Sequence, residues 1–422
     1  MRACLYPSKL AGQVQAPPSK SMAHRALICA GLAHGESRIE GILPSEDMEA
    51  TIRGLEALGA RVHLADTTAC IVGCGGRILP GGGPVDCGES GSTLRFLLPL
   101  FGLSGRSSRL FGRGRLPRRP LGPYQAVFSA QGLSFSQDET GVSFGGPLRP
   151  GIFHVPGDVS SQFLSGLLFA LPLLSGDSEI RISPPFESRS YVALTLDVLH
   201  AFGISVSFSD ALTLTVPGGQ RYAPCSSYRV EGDDSQAAFF MLPGAVLGGV
   251  SVAGLRQDSK QGDRAMQHIL ARCGVATARI AGVYMPVQGA LHATQIDLAD
   301  CPDLGPVLMA LGLFCEGETV IRHAGRLRLK ESDRIAAMEA ELSKLGGRIR
   351  SEADTVYVRG SALHEGPPLC THGDHRIAMA LAMTVLCAGL HGEIEGAEAV
   401  NKSYPGFWQD LAGLGAQLSF LT

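Results

Sequence analysis

LSKLGGRIRS, residues 342–351, reads as the end of an amphipathic helix, a glycine, and the start of an alternating strand. The same figure recurs as LEALGARVHL (55–64), FSAQGLSFS (128–136), LHAFGISVSF (199–208), LARCGVATARI (270–280) and LAGLGAQLSF (411–420). The glycines concerned, Gly59, Gly132, Gly203, Gly274, Gly346 and Gly415, stand 73, 71, 71, 72 and 69 residues apart. Such a glycine is the expected residue just past a helix end, where a left-handed conformation closes the last turn and a Cβ would be strained. A second, more apolar helix precedes each one and is read as closed by Gly35, Gly105, Gly176, Gly248, Gly317 or Gly392. A fixed period over the whole chain means one supersecondary unit used six times.

Each unit reads as an apolar helix, a strand, an amphipathic helix and a two-stranded hairpin, which makes the chain α/β. The first helix, apolar nearly all round, belongs inside; the second covers a sheet. At 422 residues the chain is too long for one ordinary core, and six units most simply make two domains of three. PGGQRYAPCSSYRVEGDDS (217–235) suggests one crossing between domains, and Pro17 and Pro18 suggest another. The expectation is one domain of residues 1–17 plus 232–422 and a second of 20–230.

Composition narrows the function. A hydrophobic share of 45% with 54 glycines and 18% charged residues describes a turn-rich globular protein. The 36 basic and 39 acidic residues leave no basic excess, so a nucleic acid is not the expected partner and any anion binding is local. The start, MRACLYPSKLAGQ, lacks the apolar core of a signal peptide. FFMLPGAVLGGVSVAGL (239–255) carries Pro243 and four glycines, and reads as buried helix, turn and strand rather than a membrane span. Eleven scattered cysteines without a CxxC pair suit a reducing cytoplasm, and neither Cys nor His spacing suggests a metal site. No cofactor, membrane or obligate partner is expected, and the working expectation is a monomer.

The starts of the six apolar helices carry the chemistry. They are KSMAHRAL (Lys20, Ser21), SGSTLRFL (Ser90, Ser92), SSQFLSGL (Ser160, Ser161), DDSQAAFF (Asp233, Ser235), DLGPVLMA (Asp303) and DHRIAMAL (Asp374). Capping alone explains every Ser and Asp. It does not explain Arg25, Arg95 and Arg376, which sit on these first turns where an apolar core helix normally excludes such groups. If the helices run parallel within the domains, their N-termini face one cleft, each contributing roughly half a positive charge, and that cleft holds anions. RLPRRPL (115–121), with Arg118 and Arg119, and RLRLKESDRIAAM (326–338), with Lys330, Glu331, Asp333 and Arg334, are two further basic clusters. For the second, a capping box from Ser332 with a solvated charged face is the bland reading that spacing alone favours.

Taken in order, PPSKSMAHRALICAGLAHG, GESGSTLRFL, RRPLGPY, VSSQFLSGLL, ESRSYVALTLDVLHAFG, VEGDDSQAAFF, CPDLGP, RLKESDRIAAM, GDHRIAMALAM and NKSYPGFW resemble the 5-enolpyruvylshikimate-3-phosphate (EPSP) synthase family. The resemblance runs from about residue 17 to residue 408, nearly the whole chain. It implies a two-domain inside-out α/β barrel, three helix-and-sheet units per domain with buried helices, and an active site in the interdomain cleft. It also implies transfer of the enolpyruvyl group of phosphoenolpyruvate to the 5-hydroxyl of shikimate 3-phosphate, with release of phosphate.

Carried over residue by residue, the resemblance assigns Lys20, Arg119, Arg334, Arg376 and Lys402 to phosphoenolpyruvate, with Gly91 admitting its phosphate close to backbone N–H groups. Ser160, Ser161 and Ser188 are implied for the phosphate of shikimate 3-phosphate, and Gln162 for its ring beside phosphoenolpyruvate. Ser21 and Arg25 take its carboxylate, Asp303 and Lys330 its hydroxyls, and Lys20 lies near both substrates. Asp303 is implied as the base toward the 5-hydroxyl and Glu331 as the acid toward the methylene carbon, with Lys20 as electrostatic partner. Glu89 stands where many relatives carry asparagine, and Arg326 replaces an amide common there. Two alternatives are the enolpyruvyl transferase acting on UDP-N-acetylglucosamine and a non-catalytic anion-binding protein of the same fold. The first uses a cysteine in a loop that here, at 104–122, contains none. Intact Lys20, Asp303, Glu331 and Arg376 count against the second.

Overall fold

The computed structural model describes residues 1–78 and 83–421. Twelve α-helices lie among them: α1 (Lys20–Leu32), α2 (Glu46–Leu58), α3 (Gly91–Phe101), α4 (Gly122–Ala130), α5 (Ser161–Ala170), α6 (Arg189–Ala201), α7 (Asp234–Val246), α8 (Ala265–Arg272), α9 (Gly305–Phe314), α10 (Arg334–Lys344), α11 (His375–Cys387) and α12 (Phe407–Gly413). The odd-numbered helices are the apolar ones. All thirteen residues of α11 are buried, as are Asp234 to Ala245 of α7 and Met22 to Leu32 of α1. The even-numbered helices bury one face only, as an amphipathic helix on a sheet must.

Local chemistry sets the helix ends. Ser45 accepts from the Met48 N–H ahead of α2, whose first turn carries Glu46, Asp47 and Glu49 at the positive end of the dipole. At the other end of the amphipathic helices, Gly59, Gly132, Gly203, Gly274, Gly346 and Gly415 all have positive φ, from 70° to 106°. All six glycines of the repeat thus take the expected left-handed conformation. The second glycine series is less regular. Gly35, Gly248 and Gly317 are left-handed, but Gly105 and Gly176 are not, and Gly392 opens the strand Gly392–Glu395 while Gly389 at φ 67° closes α11. Those helices end earlier than the glycines suggest: α3 stops at Phe101, and α5 gives way to a 3-10 turn over Leu171–Leu173.

Six four-stranded sheets lie among the described residues, one per unit. Ile152–Pro156 runs parallel to Ser178–Ser183, which pairs antiparallel with Thr213–Val216, which in turn pairs antiparallel with Ser207–Phe208. A further strand therefore precedes each apolar helix, beyond the three expected. Two units borrow it: Tyr228–Arg229 completes the sheet of Glu36–Glu40, and Gly12–Gln15 completes that of Val250–Ala253. In the last sheet Arg2–Tyr6 lies between Gly392–Glu395 and Gln417–Leu421. Strand residues alternate between buried and exposed, so each sheet turns one face to helices and the other to water.

The chain divides into two compact units, Lys20–Val230 and Met1–Ser19 with Glu231–Thr422, called here the N-terminal and C-terminal units. In the C-terminal unit α7, α9 and α11 pack on one another; in the N-terminal unit α3 packs on α5, and α1 on α2 and α6. Pro18 bridges to Gly232 within the C-terminal unit, and the Ser19 and Asp233 N–H groups donate to the Glu231 and Pro17 carbonyls. The stretch 239–255 folds as the end of α7, two left-handed glycines and the strand Val250–Ala253. Among the described residues no helix is long and apolar enough to cross a membrane.

Candidate active site

In the C-terminal unit Arg376 ties three helix starts together. From the first turn of α11 its Nη2 donates to Ser235 Oγ of α7 at 2.9 Å and to Asp303 Oδ2, just ahead of α9, at 2.9 Å. Its Nη1 donates to the Asp303 carbonyl at 3.2 Å. Asp303 Oδ1 also accepts from Lys330 Nζ at 3.2 Å and Arg334 Nη1 at 3.3 Å. Arg334 opens α10 and is the hub: Nη2 reaches Glu331 Oε2 at 2.8 Å, and Nε reaches Asp374 Oδ2 at 2.8 Å. Three acids, Asp303, Glu331 and Asp374, thus interleave with three cations, Lys330, Arg334 and Arg376. Lys402 Nζ donates to the Gly373 carbonyl at 2.6 Å, one residue before Asp374.

Burial grades the members of this cluster. The Arg334 and Asp374 side chains are 1% and 0% exposed, whereas Asp303 and Glu331 keep 19% and 17%. Burial alone would raise the Asp303 carboxyl, but Arg376, Lys330 and Arg334 outweigh it and hold it well below the usual carboxylate range. The same contest at Asp374 ends with Arg334 lowering it. Lys330 goes the other way: burial lowers its ammonium, and Asp303 only partly restores it. The cluster therefore keeps a partly exposed Asp303 beside buried guanidinium groups that favour its ionised form.

The bland reading of 326–338 does not hold. Asp333, not Ser332, caps α10 by accepting from the Ala336 N–H at 3.0 Å, and Ser332 Oγ donates to Asp374 Oδ2 at 3.1 Å. Glu331 lies ahead of the helix and not on a solvated face of it.

In the N-terminal unit the helix starts are joined by chains of neutral groups and by cations that mostly donate to neutral oxygens. Ser90 caps α3 and accepts from Thr93 Oγ1 at 2.7 Å; Thr93 meets Thr51 of α2 at 2.7 Å, and Thr51 meets His24 of α1 at 2.8 Å. Gln162 on α5 donates to Ser92 Oγ at 2.9 Å and accepts from Arg95 Nη1 at 2.7 Å. Lys20 Nζ pairs with Asp47 Oδ2 of α2 at 2.8 Å. Ser160 caps α5, and Ser161 is its first residue. Ser188 precedes α6 at φ 54°, a left-handed conformation that is costly for a residue with a Cβ. The two loops touch, since the Glu187 N–H donates to the Gly157 carbonyl at 3.1 Å.

Gly91 and Arg119 also come together, because a Cβ built on Gly91 would collide with Arg119 Nη1. Arg119 is buried, while Arg118 beside it is exposed. Arg25 is buried too: Nε donates to Thr195 Oγ1 at 2.8 Å, Nη1 to the Ser21 carbonyl at 2.7 Å and Nη2 to the Tyr191 carbonyl at 3.1 Å. It ties α1 to α6 as well as flanking Ser21. Glu89 packs its carboxylate against Gly114, and Arg326 Nη2 donates to the Ala299 carbonyl at 2.7 Å. Asp47, Ser235 and the Asp374 carboxylate were missed as partners. Asp374 reads as a cap in sequence, and pairings across repeats leave no local signal.

The family model described as EPSP synthase (3-phosphoshikimate 1-carboxyvinyltransferase) matches residues 6–411. A protein named 3-phosphoshikimate 1-carboxyvinyltransferase from Clostridium kluyveri is 43% identical over 417 residues, covering 98% of this chain and 97% of that one. Its namesake from Clostridioides difficile is 40% identical over 426 residues, covering 98% and 97%. An EPSP synthase structure from Acinetobacter baumannii superposes with a TM-score of 0.81 at 25% identity, covering 99% of this chain and 100% of that one. With a family match over nearly all of its length and relatives at 40% and 43% identity on the same footing, the chain belongs to the EPSP synthase family.

Proposed function

We propose that the chain transfers the enolpyruvyl group of phosphoenolpyruvate to the 5-hydroxyl of shikimate 3-phosphate and releases phosphate. The observation that carries this reading is Asp303, 19% exposed and bonded at once to Lys330, Arg334 and Arg376. The chemistry needs a base for a hydroxyl, cations for two phosphates and two carboxylates, and a proton donor for a carbon atom. Asp303 takes the 5-hydroxyl proton as the oxygen attacks the central carbon of phosphoenolpyruvate. Glu331 gives a proton to the methylene carbon, which becomes a methyl group in a tetrahedral intermediate. Loss of a methyl proton and departure of phosphate then restore the double bond. Glu331 bonds Arg334 in this structure, so a phosphate drawn to Arg334 frees Glu331 to carry that proton.

The substrates are shared out between the units. In the C-terminal unit Arg334, Arg376 and Lys402 are assigned to phosphoenolpyruvate, and in the N-terminal unit Lys20, Gly91, Arg119 and Gln162 are the groups assigned to it. Arginine's planar fork suits carboxylate and phosphate alike. Ser160, Ser161 and Ser188 donate to the phosphate of shikimate 3-phosphate; Lys20, Gln162, Ser21 and Arg25 meet its ring and carboxylate, and Lys330 its hydroxyls. The eleven cysteines, all free, suit a reducing cytoplasm, and a monomer suffices for the reaction. The test is phosphate release from phosphoenolpyruvate. It should require shikimate 3-phosphate and should not occur with UDP-N-acetylglucosamine; release with the nucleotide sugar alone, or with neither, overturns the reading.

A further inference from the structure

Glu341, on α10, has its side chain 3% exposed yet bonded on both oxygens. Oε2 accepts from Lys344 Nζ at 2.7 Å and from the Cys370 N–H at 2.8 Å, while Oε1 meets His372 Nε2 at 3.0 Å. The His372 N–H in turn donates to Cys370 Sγ at 3.3 Å. His372 and Gly373 are successive left-handed residues, at φ 51° and 66°. Glycine adopts that conformation freely; histidine does so at a cost and persists there only where its surroundings insist. The turn they form ends on two groups of the cation cluster. The Gly373 carbonyl accepts from Lys402 Nζ, and Asp374 accepts from Arg334 and caps the helix that carries Arg376.

We propose that Glu341, acting through His372, is a positioning residue for phosphoenolpyruvate, holding a strained turn in the shape that sets Lys402, Arg334 and Arg376. The proposal rests on the function proposed above. Without the carboxylate, His372 relaxes toward negative φ, the Gly373 carbonyl swings, and the cations lose their spacing. Misplacement of anchoring groups by a fraction of an ångström weakens the ligand that they hold.

The experiment is steady-state kinetics on Glu341→Gln, His372→Ala and the double variant Glu341→Gln with His372→Gly, with amide hydrogen exchange over 371–376. Glu341→Gln should raise KM for phosphoenolpyruvate roughly 10-fold and leave KM for shikimate 3-phosphate within about 2-fold. Adding His372→Gly should recover most of the loss, because glycine needs no clamp to stay left-handed. Exchange should be faster in Glu341→Gln and slower again in the double variant. Equal losses on both substrates, or no recovery with glycine, would show a merely structural role and overturn the proposal. If Glu341→Gln does not fold, His372→Ala alone reads the same split between substrates. A wild-type protein without phosphate release dependent on shikimate 3-phosphate would sink the function, and unchanged exchange in Glu341→Gln would sink the clamp separately.

Discussion

The two units use one repeat to make two kinds of helix start. In the N-terminal unit, Ser90, Thr93, Thr51, His24, Ser92 and Gln162 form chains of neutral hydrogen bonds, the buried Arg25 and Arg95 donate to neutral oxygens beside them, and Lys20 and Asp47 form a partly exposed ion pair. In the C-terminal unit, Asp303, Glu331 and Asp374 alternate with Lys330, Arg334 and Arg376, and Arg334 and Asp374 are fully buried. Neutral donors at a helix N-terminus hold a phosphate without competing for it. Interleaved acids and cations instead keep a base ionised and guanidinium groups fixed where charge develops. Under the function proposed above, the contrast would give recognition of the shikimate 3-phosphate phosphate mainly to the N-terminal unit and proton transfer to the C-terminal one.

The largest effect should come from breaking the buried pair. Asp374→Ala removes the most deeply buried of the three carboxylates around Arg334 together with the cap of α11, leaving Glu331 and Asp303 to offset the guanidinium, and should cost about 3 kcal/mol of unfolding free energy. Asp47→Ala, which breaks the more exposed Lys20 pair, should cost clearly less; equal losses in denaturant unfolding would erase the contrast. Next comes Glu331→Gln, which keeps shape but would remove the proton that the proposed function sends to the methylene carbon. Turnover should fall by roughly 100-fold or more, with substrate affinity within a few fold. Wild-type turnover in a folded, ligand-binding variant would remove Glu331 from the mechanism.

A smaller effect belongs to the neutral donors. Ser161→Ala and Ser188→Ala should each weaken shikimate 3-phosphate by about 1 kcal/mol or more, seen by calorimetry without phosphoenolpyruvate. Unchanged affinity would move the phosphate to another site. The smallest effect is in pH dependence. Asp303 and Asp374 are both lowered from 3.8 in the folded state, so the stability they contribute is present above that value. It is lost as pH falls through their folded values, which steepens the acid limb below about pH 4. Asp303→Asn should make that limb shallower in thermal melts, whereas Ser161→Ala should leave its slope alone.

Much of this was legible in the residues, for reasons that differ by position. The six repeat glycines announced themselves because a left-handed helix end strongly favours glycine, and all six are left-handed. Helix starts were readable because Ser90, Ser160, Asp233 and Asp374 are caps by chemistry. The leading strands were not: Val85–Asp86, Tyr228–Arg229 and Leu369–Cys370 are two residues long and show no alternation. Gly105, Gly176 and Gly392 misled because a glycine near a helix end need not be the one that closes it. The resemblance named Arg334 and Asp303, but the carboxylate that anchors Arg334 stands forty residues away on the next repeat. Such pairings exist only once the helices have packed.

The most direct test of this division is the reaction run in D2O and read by proton NMR. If Glu331 is the proton donor proposed above, a solvent-derived deuteron enters a methyl group that then loses one hydrogen, and the wild type should place deuterium in the methylene group of the product and of recovered phosphoenolpyruvate. Ser161→Ala at saturating shikimate 3-phosphate should do the same, and Glu331→Gln should show little label in either. Unlabelled product from the wild type, or labelling by Glu331→Gln at the wild-type rate, would contradict the account.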